Sequence, residues 1–221
     1  MSNIVIFPIK THSERVPGKN FLSLNDGRKM YQTTTMAALN SGAFNNVVID
    51  TDSDEIKEWA SANRITWITR RPDLALNSAN GNNLLRHHIE TFPGYDYYWQ
   101  GFVTVPWISS KTISDLVYRL TTSNIHDGLI TGRLHYGFFW VDGRPVSFRP
   151  DMLPRSQDLT PTFQEVSGFF GISYNGFQET RCRYGTTPIF YEIPKHEDLE
   201  IDWPFDAEEL RKNPPQLAPK L

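Results

Sequence analysis

Three cations crowd one short stretch near the start of the chain. "IKTHSERVPGKN" carries Lys10, Arg15 and Lys19 around a Pro17-Gly18 turn, directly after the apolar run "NIVIFPI". Such a stretch has two uses. It can be a solvated surface loop, since charge runs commonly lie in water. It can instead cradle phosphate: Gly18 lets backbone N–H groups come close, and three cationic side chains would neutralise a triphosphate. The pattern is neither a Walker A loop nor G-x-G-x-x-G.

Near the other end, "HEDLEIDWPF" sets Glu200 and Asp202 two residues apart. In an extended segment this spacing turns both carboxylates to one face. Adjacent carboxylates repel each other unless a cation sits between them. Oxygen-only ligands suit Mg²⁺, which keeps several waters and takes the rest of its shell from substrate phosphate. The plainer alternative is a polar strand end before a helix, because charged residues are mostly exposed.

Other candidates carry less chemistry. "IDTDSDE" invites a metal reading for Asp50 and Asp52, but Asp and Ser there fit a helix N-terminus better. His87 and His88 are adjacent, so on a helix they point about 100° apart and cannot chelate as an i, i+4 pair. His12-Ser13 has no identifiable orienting acid, which argues against a Ser/His hydrolase. The single cysteine, Cys182, sits in "TRCRYG" at an expected helix end and reads as packing. Phe138, Phe139, Trp140, Phe169 and Phe170 read as core or interface, with a sugar pocket as the other use for some of them.

The elements that must position these residues alternate. Strands are expected at 3–9, 46–51, 65–70 and 97–105, with helices at 28–42, around "DSDEIKEWASAN", at 82–92 and at 111–123. That order implies βαβ units and a largely parallel sheet. From about 130 the texture changes. "DGLITGRLHYGFFWVDGRPVSF" reads as two strands joined at Asp142-Gly143, a hairpin dipeptide. "RPDMLPRSQDLTPTF" (149–163) reads as an irregular arm or lid, "SGFFGISY" (167–174) as a strand, and "TPIFYEIP" (187–194) as another. A last helix starts near Asp206 and ends at Pro214-Pro215. The expectation is one α/β domain over 1–221 with an antiparallel excursion at about 130–175.

Composition sets the outer bounds. The chain has 221 residues, 39% of them hydrophobic and 21% charged, which is ordinary for a soluble globular protein. A net charge of −3 argues against a general nucleic-acid binder. No apolar stretch approaches the ~18 residues of a membrane span, and no secretory signal is apparent at the start. One cysteine cannot form an internal disulfide, which fits a reducing cytoplasm.

With these residues in view, the chain resembles a family. "PIKTHSERVPGKN" is similar to the N-terminal signature of the sugar-acid cytidylyltransferases, the acylneuraminate (CMP-sialic acid) and related CMP-Kdo synthetases. "VVIDTDSDEI", "RPDLALNSANGNNLLRHHIE", "PRSQDLTPTF", "SGFFGISY" and "YEIPKHEDLEIDWPFDAEEL" resemble further family segments in the family's order. The resemblance implies a Rossmann-like, GT-A-like nucleotidyltransferase sandwich. Its mostly parallel sheet carries an antiparallel excursion through which two copies form a homodimer and complete each other's sugar site. It also implies transfer of CMP from CTP to a 2-keto sugar acid, releasing pyrophosphate, with Mg²⁺ as cofactor.

Carried over by position, Lys10, Ser13, Arg15, Gly18, Lys19 and Asn20 would bind the nucleotide, Asn20 at the cytosine or ribose. Glu200 and Asp202 would hold Mg²⁺, with Lys10, Lys19 and Asp202 central to catalysis. Arg155, Gln157, Phe169 and Phe170 would face the sugar acid. The chain departs from the pattern at Lys10, where the family has Arg, and at Glu200, where it has Asp. In "FVTVPWISSKTI", Val105, Trp107 and Ser109 stand at the family's Gln, Thr and second Pro. Gln reads the base in the family, and Val cannot hydrogen-bond a cytosine edge. A related nucleotide-sugar pyrophosphorylase with altered base or sugar choice therefore stays open, as does a non-catalytic nucleotide- or sugar-binding homologue.

Overall fold

The strand Asn3–Ile9 (β1) buries side chains on both faces: Ile4 and Ile6 point one way, and Val5, Phe7 and Ile9 the other. A strand covered on both sides must sit inside a helix-sheathed parallel sheet, and the computed structural model, which describes residues 1–76 and 78–212, has that architecture.

After β1 come α1 (Met30–Ser41), β2 (Asn46–Thr51), α2 (Asp54–Ala62) and β3 (Thr66–Thr69). The short α3 (Pro72–Ala75) precedes α4 (Gly81–Thr91), β4 (Tyr97–Gly101) and α5 (Ser110–Thr121). The remainder is β5 (Gly128–His135), β6 (Trp140–Val141), β7 (Arg144–Pro145), β8 (Thr162–Ser173), α6 (Tyr174–Thr180), β9 (Pro188–Glu192) and α7 (Pro204–Lys212). The described residues build a seven-stranded sheet in the order β3-β2-β1-β4-β8-β5-β9. β8 runs antiparallel to both its neighbours, and the other pairings are parallel.

Two cores flank the sheet. One packs Val5, Phe7, Ile49 and Trp99 against Tyr31 and Ala38 of α1, Ile56 and Ala60 of α2, and Ile113, Leu116 and Leu120 of α5. The other packs Ile4, Ile6, Val48 and Tyr98 against Leu85 and Ile89 of α4 and Phe177 of α6. Burying each of these large side chains stabilises the fold by about 1.5–3 kcal/mol. A third, smaller core joins Val16 of the cationic stretch to Ile201, Ala207 and Leu210 at the other end of the chain.

Local rules account for most element ends. Ser53, Ser109 and Ser173 cap α2, α5 and α6 by accepting a backbone N–H. Gly42 ends α1 with φ +64°. Three expectations are corrected. β4 stops at Gly101 rather than near 105, and β8 begins at Thr162, inside the stretch expected to be irregular. The expected hairpin reduces to β6 and β7, paired through Asp142 and Gly143, both at positive φ. Its neighbours β5 and β8 belong to the central sheet, so only residues 136–161 lie outside it. The expected helix end at Pro214-Pro215 lies outside the described residues. No helix among them is long and apolar enough to cross a membrane.

Candidate active site

In sheets of this type, ligands bind beyond the carboxyl ends of the strands, and β1 delivers the cationic loop there. The loop is fixed at several points. Thr11 donates its N–H and hydroxyl to Asp52 just after β2, at 2.8 and 2.9 Å. Asn20 Nδ2 donates to the Lys10 carbonyl at 2.9 Å, closing the loop on itself. Val16 is buried in the third core. Gly18 turns the chain at φ +68° into the short 3₁₀ turn Lys19–Phe21, a conformation that would strain any other residue there.

The closing acidic segment comes to meet this loop. Ile201 N donates to Thr104 O at 2.8 Å, and Ser167 N donates to Glu200 Oε1 at 3.1 Å. Asp206 accepts the N–H groups of Asp202 and Trp203 at 2.9 and 2.7 Å, steering the chain into α7. Asp202 Oδ1 then receives Arg15 Nη2 and Lys19 Nζ, each at 3.0 Å, across 187 and 183 residues of sequence. Lys19 also donates to Ile201 O at 3.2 Å, and the Arg15 guanidinium lies 5.3 Å from the Trp203 ring centre.

The more exposed Arg15–Asp202 pair contributes only about 0–1 kcal/mol to stability, while Lys19 is more enclosed, with its side chain 15% exposed. Two cations from the loop thus converge on one carboxylate oxygen of the closing segment. Glu200 sits deeper. Burial raises its carboxyl above the usual carboxylate range, and the nearby Asp202 charge adds to that. A divalent cation between the two would relieve this penalty. The donor set is oxygen only, which fits Mg²⁺. Among the described residues no group of three or more His, Cys, Asp or Glu could hold a metal. Phosphate and water would complete the shell, as is usual for this ion.

The residues expected from sequence divide into two groups. Arg15 and Lys19 both contact Asp202, Glu200 lies two residues before Asp202, and Lys10, Ser13, Gly18 and Asn20 belong to the same loop. The four expected sugar contacts do not join them. Phe169 and Phe170 are fully buried, which corrects the expectation that they face a sugar. Phe169 packs edge-on against Phe7 in the core, and Phe170 packs edge-on against Phe102 with the Arg183 guanidinium 3.7 Å above its ring. Arg155 and Gln157 are exposed on the segment outside the sheet, where Arg155 is held in a fork by Asp158 at 2.6 and 3.1 Å. Val105 is buried in the core and offers nothing to a base.

Asp50 and Asp52 have other work than capping α2. Asp52 anchors Thr11, as above. Asp50 is buried between Arg70 Nε and His88 Nε2, each 2.8 Å from its Oδ2. Sequence reasoning missed this buried trio, the Ser167–Glu200 bond and the Trp203–Arg15 stack. Each joins residues far apart in the chain, and no local spacing announces them.

Against this geometry stand the comparisons with known proteins. Residues 4–127 match the family model described as Cytidylyltransferase. The N-acylneuraminate cytidylyltransferase of Streptococcus agalactiae serotype III (strain NEM316) is 23% identical over 215 residues, covering 91% of this chain and 51% of that protein. The pseudaminic acid cytidylyltransferase of Campylobacter jejuni subsp. jejuni serotype O:2 is 25% identical over 221 residues, covering 94% of each. The chain thus spans about half the length of the streptococcal relative and nearly all of the Campylobacter one. Among solved structures, a CMP:2-keto-3-deoxy-manno-octonic acid synthetase complexed with CTP superposes with TM-score 0.69 at 16% identity, over 96% of this chain and 98% of that one. The 2-C-methyl-D-erythritol 4-phosphate cytidylyltransferase of Francisella tularensis gives TM-score 0.65 at 13% identity, over 95% and 98%. At these identities the structural likeness shows the fold alone.

Proposed function

The chain belongs to the cytidylyltransferase family, and from that premise we propose that it transfers CMP from CTP to a 2-keto sugar acid of the sialic, pseudaminic or Kdo kind. The anomeric hydroxyl of the sugar attacks the α-phosphorus, its proton is lost, and the bond to the leaving pyrophosphate breaks. The observation that carries this reading is the meeting of Arg15 and Lys19 with Asp202, at 3.0 Å each, beyond the carboxyl end of β1.

In it, Lys10, Arg15 and Lys19 neutralise the triphosphate, with Ser13, Gly18 and Asn20 shaping the loop. Asp202 and Glu200 are the residues that would hold Mg²⁺. The ion they would hold would supply charge stabilisation at the phosphate oxygens. The residues of the chain supply position and fixed charge, which account for most of the rate in transfers to phosphorus. The lone Cys182 fits a reducing compartment, the cytoplasm. The exposed apolar residues of 136–153 support a homodimer.

Mg²⁺-dependent pyrophosphate release with CTP and a panel of 2-keto sugar acids tests the proposal. The Asp202→Ala variant should lose at least a hundredfold in rate while keeping its unfolding midpoint. Silence from the wild-type protein with every acid and every nucleotide would sink the enzymatic reading.

A second reading, a related nucleotide-sugar pyrophosphorylase with a different base, rests on Val105, whose side chain is in the core with no polar atom to offer. A thermal-shift panel of four nucleoside triphosphates with Mg²⁺ separates the two. A ligand at 100 times its Kd stabilises by about 2.7 kcal/mol, so the preferred base should stand out.

A further inference from the structure

Trp203 stands next to the acid that receives the loop's cations, and it is 51% exposed. Burial stabilises in proportion to the apolar area removed from water, so packing is a poor explanation for a ring this open. What it touches is Arg15. The guanidinium carbon lies over the indole, 5.3 Å from the ring centre, within the ~6 Å of a cation–π contact. The backbone that carries the ring is fixed. Trp203 N donates to Asp206 Oδ2 at 2.7 Å, the same oxygen that receives Asp202 N at 2.9 Å. Pro204, with its locked φ, then opens α7.

Arg15 is held from outside its own loop. Its side chain is 47% exposed, and a long side chain in water keeps a rotamer freedom that ligand binding must remove. Two adjacent residues restrain it. Asp202 Oδ1 accepts from Nη2 at 3.0 Å, and the Trp203 ring attracts the charge. These restraints differ toward an incoming anion. Asp202 is itself negative, repels phosphate, and is a residue that would hold Mg²⁺ in the proposed reaction. Trp203 is neutral, and its ring draws a cation through its quadrupole alone. It can keep Arg15 in place with a phosphate alongside, and with Asp202 engaged elsewhere.

We propose that Trp203 is a positioning residue for the triphosphate: its ring holds the Arg15 guanidinium beside Asp202, so that the cation is already placed when phosphate arrives. Holding a side chain before its ligand binds lowers the ordering cost of binding. This inference rests on the proposed cytidylyl transfer, in which Arg15 meets the triphosphate, and adds to it the group that keeps Arg15 there. Trp203 acts through Arg15 and has no part in reading the base.

Titration calorimetry of the full chain in Mg²⁺ buffer tests this with two probes, CTP and inorganic tripolyphosphate, which offers three linked phosphates without the nucleoside. A cation–π contact at an exposed site shifts an equilibrium by about two- to fivefold. Trp203→Leu should therefore weaken both probes by about two- to fivefold, and by the same factor, at an unchanged unfolding midpoint. Trp203→Phe, which keeps a ring, should recover part of the loss. Phe205→Leu removes a ring that is 67% exposed two residues further on, and should leave both affinities at the wild-type value.

A double-mutant cycle separates positioning from direct contact. In an Arg15→Met background, Trp203→Leu should cost no further affinity, because no cation is left to hold. An undiminished effect there, or a loss for CTP without one for tripolyphosphate, means that Trp203 touches the nucleotide itself and overturns the inference. Unchanged affinities in Trp203→Leu overturn it too, and leave cytidylyl transfer standing. Wild-type protein that binds tripolyphosphate but rejects CTP counts against CTP as the donor, while the Trp203 variants still decide the inference. Binding of neither probe overturns both.

Discussion

At the scale of single residues, the same side-chain type does different work according to what surrounds it. Asp202 and Asp50 are both paired with cations. Asp202 meets Arg15 and Lys19 at the rim, where water screens the attraction and a ligand can take its place. Asp50 meets Arg70 with both side chains almost wholly buried, where no exchange is possible. Phe169 shows the same dependence. Seated in the core against Phe7, it cannot touch an acceptor. Phe169→Ala should cost about 3–5 kcal/mol, as large-to-small core changes do, measured by urea unfolding. The milder Phe169→Leu should fold and leave the KM for the sugar acid unchanged. A raised KM in that variant at normal stability would return Phe169 to the acceptor site.

At the scale of elements, the buried trio ties together the strands and helix that frame the site. Asp50 is the penultimate residue of β2, Arg70 follows β3, and His88 lies on α4. Arg70 also donates to Asp50 O at 3.0 Å. Burial opposes the charge on Asp50, but the hydrogen bond to His88 and the Arg70 charge outweigh it and hold the carboxyl below its usual range. Burial pushes His88 down as well, and its bond to Asp50 does not cancel that. His88 therefore stays neutral, donating from Nε2. Breaking the trio with Asp50→Ala strands a buried guanidinium and should cost about 3–5 kcal/mol.

The pH dependence follows from both directions. Unfolded, His88 binds a proton near pH ~6.5 and Asp50 near ~3.9, while the folded protein resists both protonations. Stability is fully present above the unfolded histidine value and declines as pH falls below it, with a second loss as the Asp50 carboxyl protonates. Urea midpoints measured from pH 7 to pH 5 should fall, and should fall less steeply in His88→Gln, which keeps a donor without titrating. An identical slope in the two proteins would remove His88 from this account.

At the scale of the whole molecule, residues 136–161 stand outside the sheet and expose Tyr136, Phe138, Trp140, Val141, Val146, Met152 and Leu153. Phe138 and Trp140 stack edge-on against Phe148, so part of this surface is prearranged rather than loose. An apolar face of this kind marks an interaction surface. A proposed homodimer would bury it. Sedimentation of the wild-type chain should give twice the chain mass, and Trp140→Asp should shift it toward the monomer. Monomeric wild-type protein at micromolar concentration would rule out a stable dimer.

The sequence by itself determined the alternation of strands and helices through position 125, because buried strands and capped helices leave period and cap signals within a few residues. It also marked Lys10, Arg15 and Lys19 at one end and Glu200 and Asp202 at the other as residues able to do chemistry. It left open whether the cationic loop met phosphate or water. The tertiary structure decided what depends on long-range contact: that loop and acids converge, that β8 inserts antiparallel between β4 and β5, that Phe169 and Phe170 are interior, and that Asp50 is locked by His88 and Arg70. The physical reason is range. Backbone propensity and hydrophobic period act over a turn or two of chain, whereas a site is made of groups brought within about 3 Å by the packing of the whole sheet.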